Sequence, residues 1–320
     1  MSLIRFLKNW TLPIAMLCGA MGYFILAYVP AFEPVKPIAL ETVHFMTPVL
    51  IFLMLFFTFC KVRVSELRPA RWHLWLLSLQ TTACIAVALW LIVERPSYTI
   101  AVIGEGLMAC IICPTAMAAA VITGKLGGNA GSLTSYTLSS NLLSAVLITV
   151  LCPLVHPNPH LNIWSAFFII LYKVVNLLIL PFFVAWIVRV AFPRFHAFCL
   201  SLKDVSFYIW GVSLTMVMGQ AIRILMINLD HWYASCSLII TSFVICALLF
   251  FLGKTIGGHY HERISGGQAL GQKNTVFGIW MALNYLTPIS AVAVGGYIVA
   301  QNTINSWQLW RKRHREEITT

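Results

Sequence analysis

Between Trp10 and Trp310 the chain is a succession of apolar stretches, each close to the roughly 20 residues that a helix needs to cross a hydrocarbon core. A backbone in lipid must satisfy its own hydrogen bonds, so stretches of this length read as spanning helices. Ten are expected, over residues 10–29, 38–60, 73–93, 98–122, 129–155, 162–191, 203–227, 231–253, 264–286 and 287–310. Only a turn near Pro288 separates the last two, so nine or eleven stay open on length alone. Composition agrees. The 320 residues are 60% hydrophobic and 10% charged, where a soluble domain is about a quarter charged. Mean hydropathy is +0.86. The fold class is an all-α polytopic membrane protein.

Charge placement decides the count. Of the 21 Lys and Arg residues, sixteen fall in alternate connecting segments that include the N-terminal Arg5 and Lys8 and the C-terminal Arg311, Lys312, Arg313 and Arg315. Three (Lys36, Arg95 and Arg223) fall in the others, and two (Lys173 and Lys273) fall inside spans. Basic loops stay on the cytoplasmic side, so both termini are expected there and the number of spans is even. The basic excess is therefore loop charge, and no nucleic-acid partner is expected. Arg5 and Lys8 precede an apolar run too long for a signal peptide, which is read as an uncleaved first span. Eight of the nine cysteines lie in apolar runs and only Cys199 in a loop, with no disulfide or zinc spacing.

Ten spans divide into repeats of five, over residues 1–155 and 156–320, and a repeat with an odd number of spans inverts on duplication. Transporters of this kind carry interrupted helices at matching positions of the two halves. Span 4 reads "CIICPTAMAAAVITG" with Pro114 in its middle, and span 9 reads "SGGQALGQKNTVF" with Gly266, Gly267 and Gly271. Both are expected to break there. Lys273 is nine residues from Ile264, about 14 Å of helix rise, against about 15 Å for half a hydrocarbon core. Charges at such depth are functional candidates, which also singles out Lys173 in "LYKVVN" and Glu105 in "GEGLMAC". Lys173 either attracts an anion or pairs with Glu105. Thr137, Ser140, Asn141 and Ser144 recur at helical spacing in span 5 and face either the breaks or a neighbouring helix. Thr115, Asn274 and Thr275 flank the breaks. His44 and His231 lie at outer ends of spans.

These stretches resemble the bile acid:sodium symporter family. The family's "CCPGGTASN" of helix 4 corresponds to "IICPTAMAA" (Ile111–Ala119), extended by Ala120, and its loop Gly-Asn to Gly128–Asn129. Its "EVGMQNSG" of helix 9 corresponds to "ALGQKNTVF" (Ala269–Phe277), with Gly271 and Asn274 in register. Its small-residue tenth helix ending in "HN" corresponds to "TPISAVAVGGYIVAQN", which ends at Asn302. A third-helix glutamine corresponds to Gln80, and "VSELRPARW" is similar to an inner loop of the family. The resemblance implies a panel of spans 1, 2, 6 and 7 and a core of spans 3–5 and 8–10, with helices 4 and 9 crossing near the midplane. It implies alternating-access transport of an organic anion across a bacterial cytoplasmic membrane, with no enzymatic activity and no cofactor.

The departures from that family are specific. Where relatives hold sodium with oxygen ligands, this chain has Ala119 and Ala120 for a Ser-Asn, Leu133 for a serine, Ala269 for the glutamate and Lys273 for a glutamine; Thr137 is kept. Lys273 is therefore expected to stand in for a coupling cation, either as a fixed charge or as a proton carrier. In a shifted register, Gln272 takes the glutamine position and Lys273 an interfacial pocket. A proton, or no ion, is favoured over sodium. Two other carriers stay open: a sodium-coupled symporter, and an efflux carrier resembling arsenite permeases, whose "PCTAM" is similar to "CPTAM" (Cys113–Met117) and would use the Cys113 thiol.

Overall fold

The computed structural model describes residues 11–61, 69–116, 118–157, 163–202, 205–227, 230 and 232–319. About 90% of the chain is helical, with no strand among the described residues. In chain order the helices are α1 (Thr11–Tyr28), α2 (Lys36–Lys61), α3 (Arg71–Glu94), α4 (Tyr98–Ile112), α5 (Ala118–Leu126), α6 (Ala130–Val155), α7 (Ile163–Leu178) and α8 (Leu180–Ala191). There follow α9 (Pro193–Ser201), α10 (Val205–Ile227), α11 (Trp232–Gly258), α12 (Arg263–Gly271), α13 (Thr275–Tyr285) and α14 (Ala291–Thr319). Each of the ten stretches expected from the sequence is helical over most of its length, either as one helix or as a broken pair. His231 lies outside the described residues.

Among the described residues, four helical segments are long and apolar enough to cross a membrane: Pro30–Lys61, which joins a 3-10 turn to α2, and α3, α6 and α11. The pair α7–α8 makes a fifth if counted as one span, bent by 41°. Pro181 sits in the first turn of α8, where its ring and missing N–H prevent α7 from continuing straight. The exterior is apolar: Leu74, Trp75, Val93, Trp164, Phe168, Val190 and Phe251 are all exposed, whereas Gln80, Ser140, Asn141, Gln272 and Lys273 are buried. Large apolar side chains facing outward, with polar side chains buried among an apolar core, suit a lipid solvent.

Two sets of helices pack internally. One is α1, α2, α7, α8 and α10, in which α10 lies against α1 and α2, and α8 against α2; α7 touches α2 and α8 but packs more extensively against α6 of the other set. The other is α3, α4, α6 and α11–α14, in which α11 lies against α4, α12 and α14. The tightest pairing is α11 with α12, and glycine makes it possible. A Cβ at Gly266 would collide with the Gly253 carbonyl oxygen and come within 2.8 Å of the Gly257 Cα. Gly266 and Gly267 thus lie inside a continuous α12 and do not break it, contrary to expectation. The break follows Gly271, over residues 272–274.

Candidate functional site

The chain leaves helical geometry after Ile112, over residues 113–116, and again between Gly271 and Thr275. The two breaks lie against each other. Thr115 and Lys273 form an isolated antiparallel bridge. The Ala116 N–H donates to the Gln272 carbonyl at 2.9 Å, and the Asn274 N–H donates to the Pro114 carbonyl at 2.8 Å. Pro114 has no N–H to continue the ladder, but its carbonyl remains an acceptor. Asn274 then opens α13, its side-chain oxygen accepting from the Phe277 N–H at 3.2 Å, as a helix N-cap does.

A broken helix exposes carbonyls at its end that need donors. At the end of α4, the Lys273 ammonium donates to the Ile111 carbonyl at 3.0 Å. The Ser144 hydroxyl donates to the Ile112 carbonyl at 2.7 Å, and the Gln80 amide reaches the Ile112 and Cys113 carbonyls at 3.4 and 3.3 Å. The end of α12 is capped reciprocally. The Thr115 hydroxyl donates to the Ala269 carbonyl at 2.7 Å, and the Tyr297 hydroxyl to the Gly271 carbonyl at 2.7 Å. Ser140 accepts from the Thr115 N–H at 3.1 Å. Gln301 accepts from the Lys273 N–H at 2.9 Å. Each break is thus capped partly by the other and partly by α3, α6 and α14.

Lys273 is 1% exposed, enclosed by protein. Among the described residues, the titratable groups acting on it are the thiols of Cys113, Cys84 and Cys110, with no carboxylate. The C-terminal end of a helix is the negative pole of its dipole, so the end of α4 suits a cation. A lysine there supplies one charge together with the donor that the Ile111 carbonyl needs. Several amide atoms nearby have no protein hydrogen-bond partner among the described residues: both side-chain polar atoms of Gln272 and of Asn141, the Asn274 nitrogen and the Gln80 oxygen. All four side chains are buried. Buried polar atoms are normally satisfied by protein or ordered water, so these residues can receive water or a polar ligand.

Gln80, Cys113, Pro114, Thr115, Ser140, Gln272, Lys273 and Asn274 therefore come together, and Thr275 follows as the first residue of α13, its N–H on the Lys273 carbonyl. Other expected residues lie elsewhere. The Thr137 hydroxyl is used by its own helix, bonding the Leu133 carbonyl at 2.9 Å. The Asn302 amide faces α1, at 3.9 Å from the Met16 sulfur. The Cys113 thiol is buried and donates to the Ala109 carbonyl at 2.9 Å. Glu105 does not pair with Lys173. It accepts from the Thr287 N–H at 2.7 Å and lies 3.4 Å from the His156 imidazole. This triad ties α4 to the end of α6 and to the turn before α14. Tyr297 and Gln301 escaped sequence reasoning; Gln301 adjoins Asn302 in "AQN" and was the better partner by one position.

Lys173 instead lines an open cleft of about 410 Å³ between α2, α7 and α13, with Pro48, Val49, Phe52, Leu53, Tyr172, Asn176, Leu177 and Trp280. It is the one charged side chain among the described lining residues. Trp280 stands six residues beyond Asn274, about 9 Å along α13, so one short helix runs from the crossing to the cleft. No protein-family model matches the chain, and no curated protein matches it closely enough to count as a relative.

Proposed function

We propose that this chain is a membrane carrier that moves an amphipathic organic anion by alternating access, with Lys273 in place of a coupling cation. The observation that carries this reading is the pair of interrupted helices bridged at Thr115 and Lys273, with a buried ammonium on the Ile111 carbonyl. Non-helical backbone at membrane depth survives where it is buried in protein or lines a wet cavity, and paired interrupted helices mark binding sites in inverted-repeat transporters. The resemblance to the bile acid:sodium symporter family supports the same reading.

In this account ten spans form two inverted repeats, and both termini lie in the cytoplasm. The set containing α3, α4, α6 and α11–α14 is the core, and the set containing α1, α2, α7, α8 and α10 is the panel. The substrate's apolar body occupies the cleft against Phe52, Leu53 and Trp280, and Lys173 attracts its carboxylate or sulfonate. An apolar wall with one cation fits an amphipathic monoanion better than a sugar or a metal ion. Lys273 carries its charge with the core as core and panel exchange positions, with no carboxylate among the described groups that act on it. The coupling ion is then a proton or none.

The test is uptake by proteoliposomes of a panel of labelled anions: short carboxylates, a sulfonate and a bile-acid conjugate. Saturable accumulation of at least one amphipathic monoanion, absent from protein-free vesicles, is expected. Failure of every anion to accumulate, together with failure to exchange across preloaded vesicles, would overturn the reading.

A further inference from the structure

A second polar cluster lies at the opposite end of α12 from the crossing and shares no residue with it. The Lys254 stem runs over Gly267: a Cβ there would meet Lys254 Cγ at 2.6 Å and Cε at 3.2 Å. The missing side chain of Gly267 thus leaves the groove in which this lysine is held. Among the described residues, the charges acting on Lys254 are those of Arg263, at the start of α12, and Arg311, on α14, with no acid. Arg311 is steadied by the Trp307 ring, 5.4 Å from its guanidinium carbon. The acid of the neighbouring turn, Glu262, is committed elsewhere, accepting from Asn129 at 3.1 Å and from Ser265 at 2.6 Å.

On the same helices stand three linked amides, two of them with an unused donor. Gln268 donates to Asn305 at 3.0 Å and to Gln308 at 3.5 Å. That leaves the side-chain nitrogens of Asn305 and Gln308 without a protein partner among the described residues, together with the Gln268 oxygen. Gln268 and Asn305 are 1% and 2% exposed. Asn305, Gln308 and Arg311 are three residues apart and share one face of α14, the face that meets α12. Arg263 and Arg311 both repel the Lys254 charge with no described acid to offset them, and buried amide donors need acceptors. One multivalent oxyanion answers both needs.

We propose that the ends of α11, α12 and α14 at Lys254, Arg263 and Arg311 bind a phosphate group, with Asn305 and Gln308 as the neutral donors on the helix-facing side. Basic pockets between helices on the cytoplasmic side recognise phospholipid headgroups, and a free phosphate would present the same oxygens. The full chain is placed in nanodiscs of phosphatidylcholine alone, phosphatidylcholine with phosphatidylglycerol, and phosphatidylcholine with added inorganic phosphate, and its unfolding midpoint is measured in each. Phosphatidylglycerol is expected to raise the midpoint by several degrees at low salt, and the gain is expected to disappear in K254Q/R311Q. A rise with inorganic phosphate as well identifies a site open to soluble phosphate. Should the double variant not fold, native mass spectrometry of the wild type decides, with phosphatidylglycerol expected to stay bound where phosphatidylcholine is stripped. Equal midpoints in all three discs, or equal retention of the two lipids, would overturn the site.

Discussion

A buried lysine whose ammonium donates to a helix-end carbonyl is worth more as a charge than as a structural bond. Lys273→Gln removes a desolvated ammonium, which is itself costly to bury, while keeping an N–H donor on a side chain one atom shorter. The variant is therefore expected to fold with a midpoint close to that of the wild type, while anion uptake falls at least about tenfold, about 1.4 kcal/mol in transition-state terms. A variant that transports normally would remove Lys273 from the mechanism. Glu105 and His156 allow a pH test at the same scale. The hydrogen bond to Glu105 raises the His156 pKa above its usual value of 6.5, outweighing partial burial. A raised imidazole stabilises the fold fully below about pH 6.5, and the contribution fades as pH climbs through the higher folded value. His156→Asn should thus lower the unfolding midpoint at about pH 6 and have little effect at about pH 9, as measured by scanning fluorimetry. Lys273 could be picked out of the sequence because a charge amid apolar residues is rare. The partner of Glu105 could not, because pairing across α4 and α6 depends on where helix ends meet.

Two interrupted helices were legible from proline, glycine and polar residues inside apolar runs, but the glycines misled. In "SGGQALGQKNTVF" they sit where α11 and α12 touch backbone to backbone, and the break lies beyond them at residues 272–274. Sequence spacing cannot distinguish a glycine that ends a helix from one that admits a neighbour, because both need only a missing Cβ. The distinction is testable. Gly266→Ala drives a methyl into the Gly253 carbonyl and the Gly257 backbone. With backbone on both sides and nothing flexible to yield, it should cost about 1–3 kcal/mol. Gly22→Ala in α1 meets nothing within 4 Å and should be neutral or stabilising by about 0.5–1 kcal/mol. Equal midpoints for the two variants in detergent would contradict the close α11–α12 contact.

For the whole molecule, apolar length and basic-residue placement carried the sequence reading, whereas the packing into two sets and the cleft at Lys173 depend on which helix faces meet. Uniformly apolar helices carry little information about their neighbours, because lipid and protein interiors are alike in polarity. The topology is open to a direct check. A phosphatase that is active only outside the cytoplasm, fused after Pro157, is expected to be active, and the same fusion after Gly128 inactive; the opposite pattern would overturn the ten-span arrangement. The central claim is that a resident lysine replaces a coupling sodium ion. It is tested most directly by anion uptake into proteoliposomes with sodium and proton gradients imposed one at a time. The account predicts uptake that is indifferent to sodium, whether driven by a proton gradient or by the anion gradient alone. Uptake that requires sodium would contradict it.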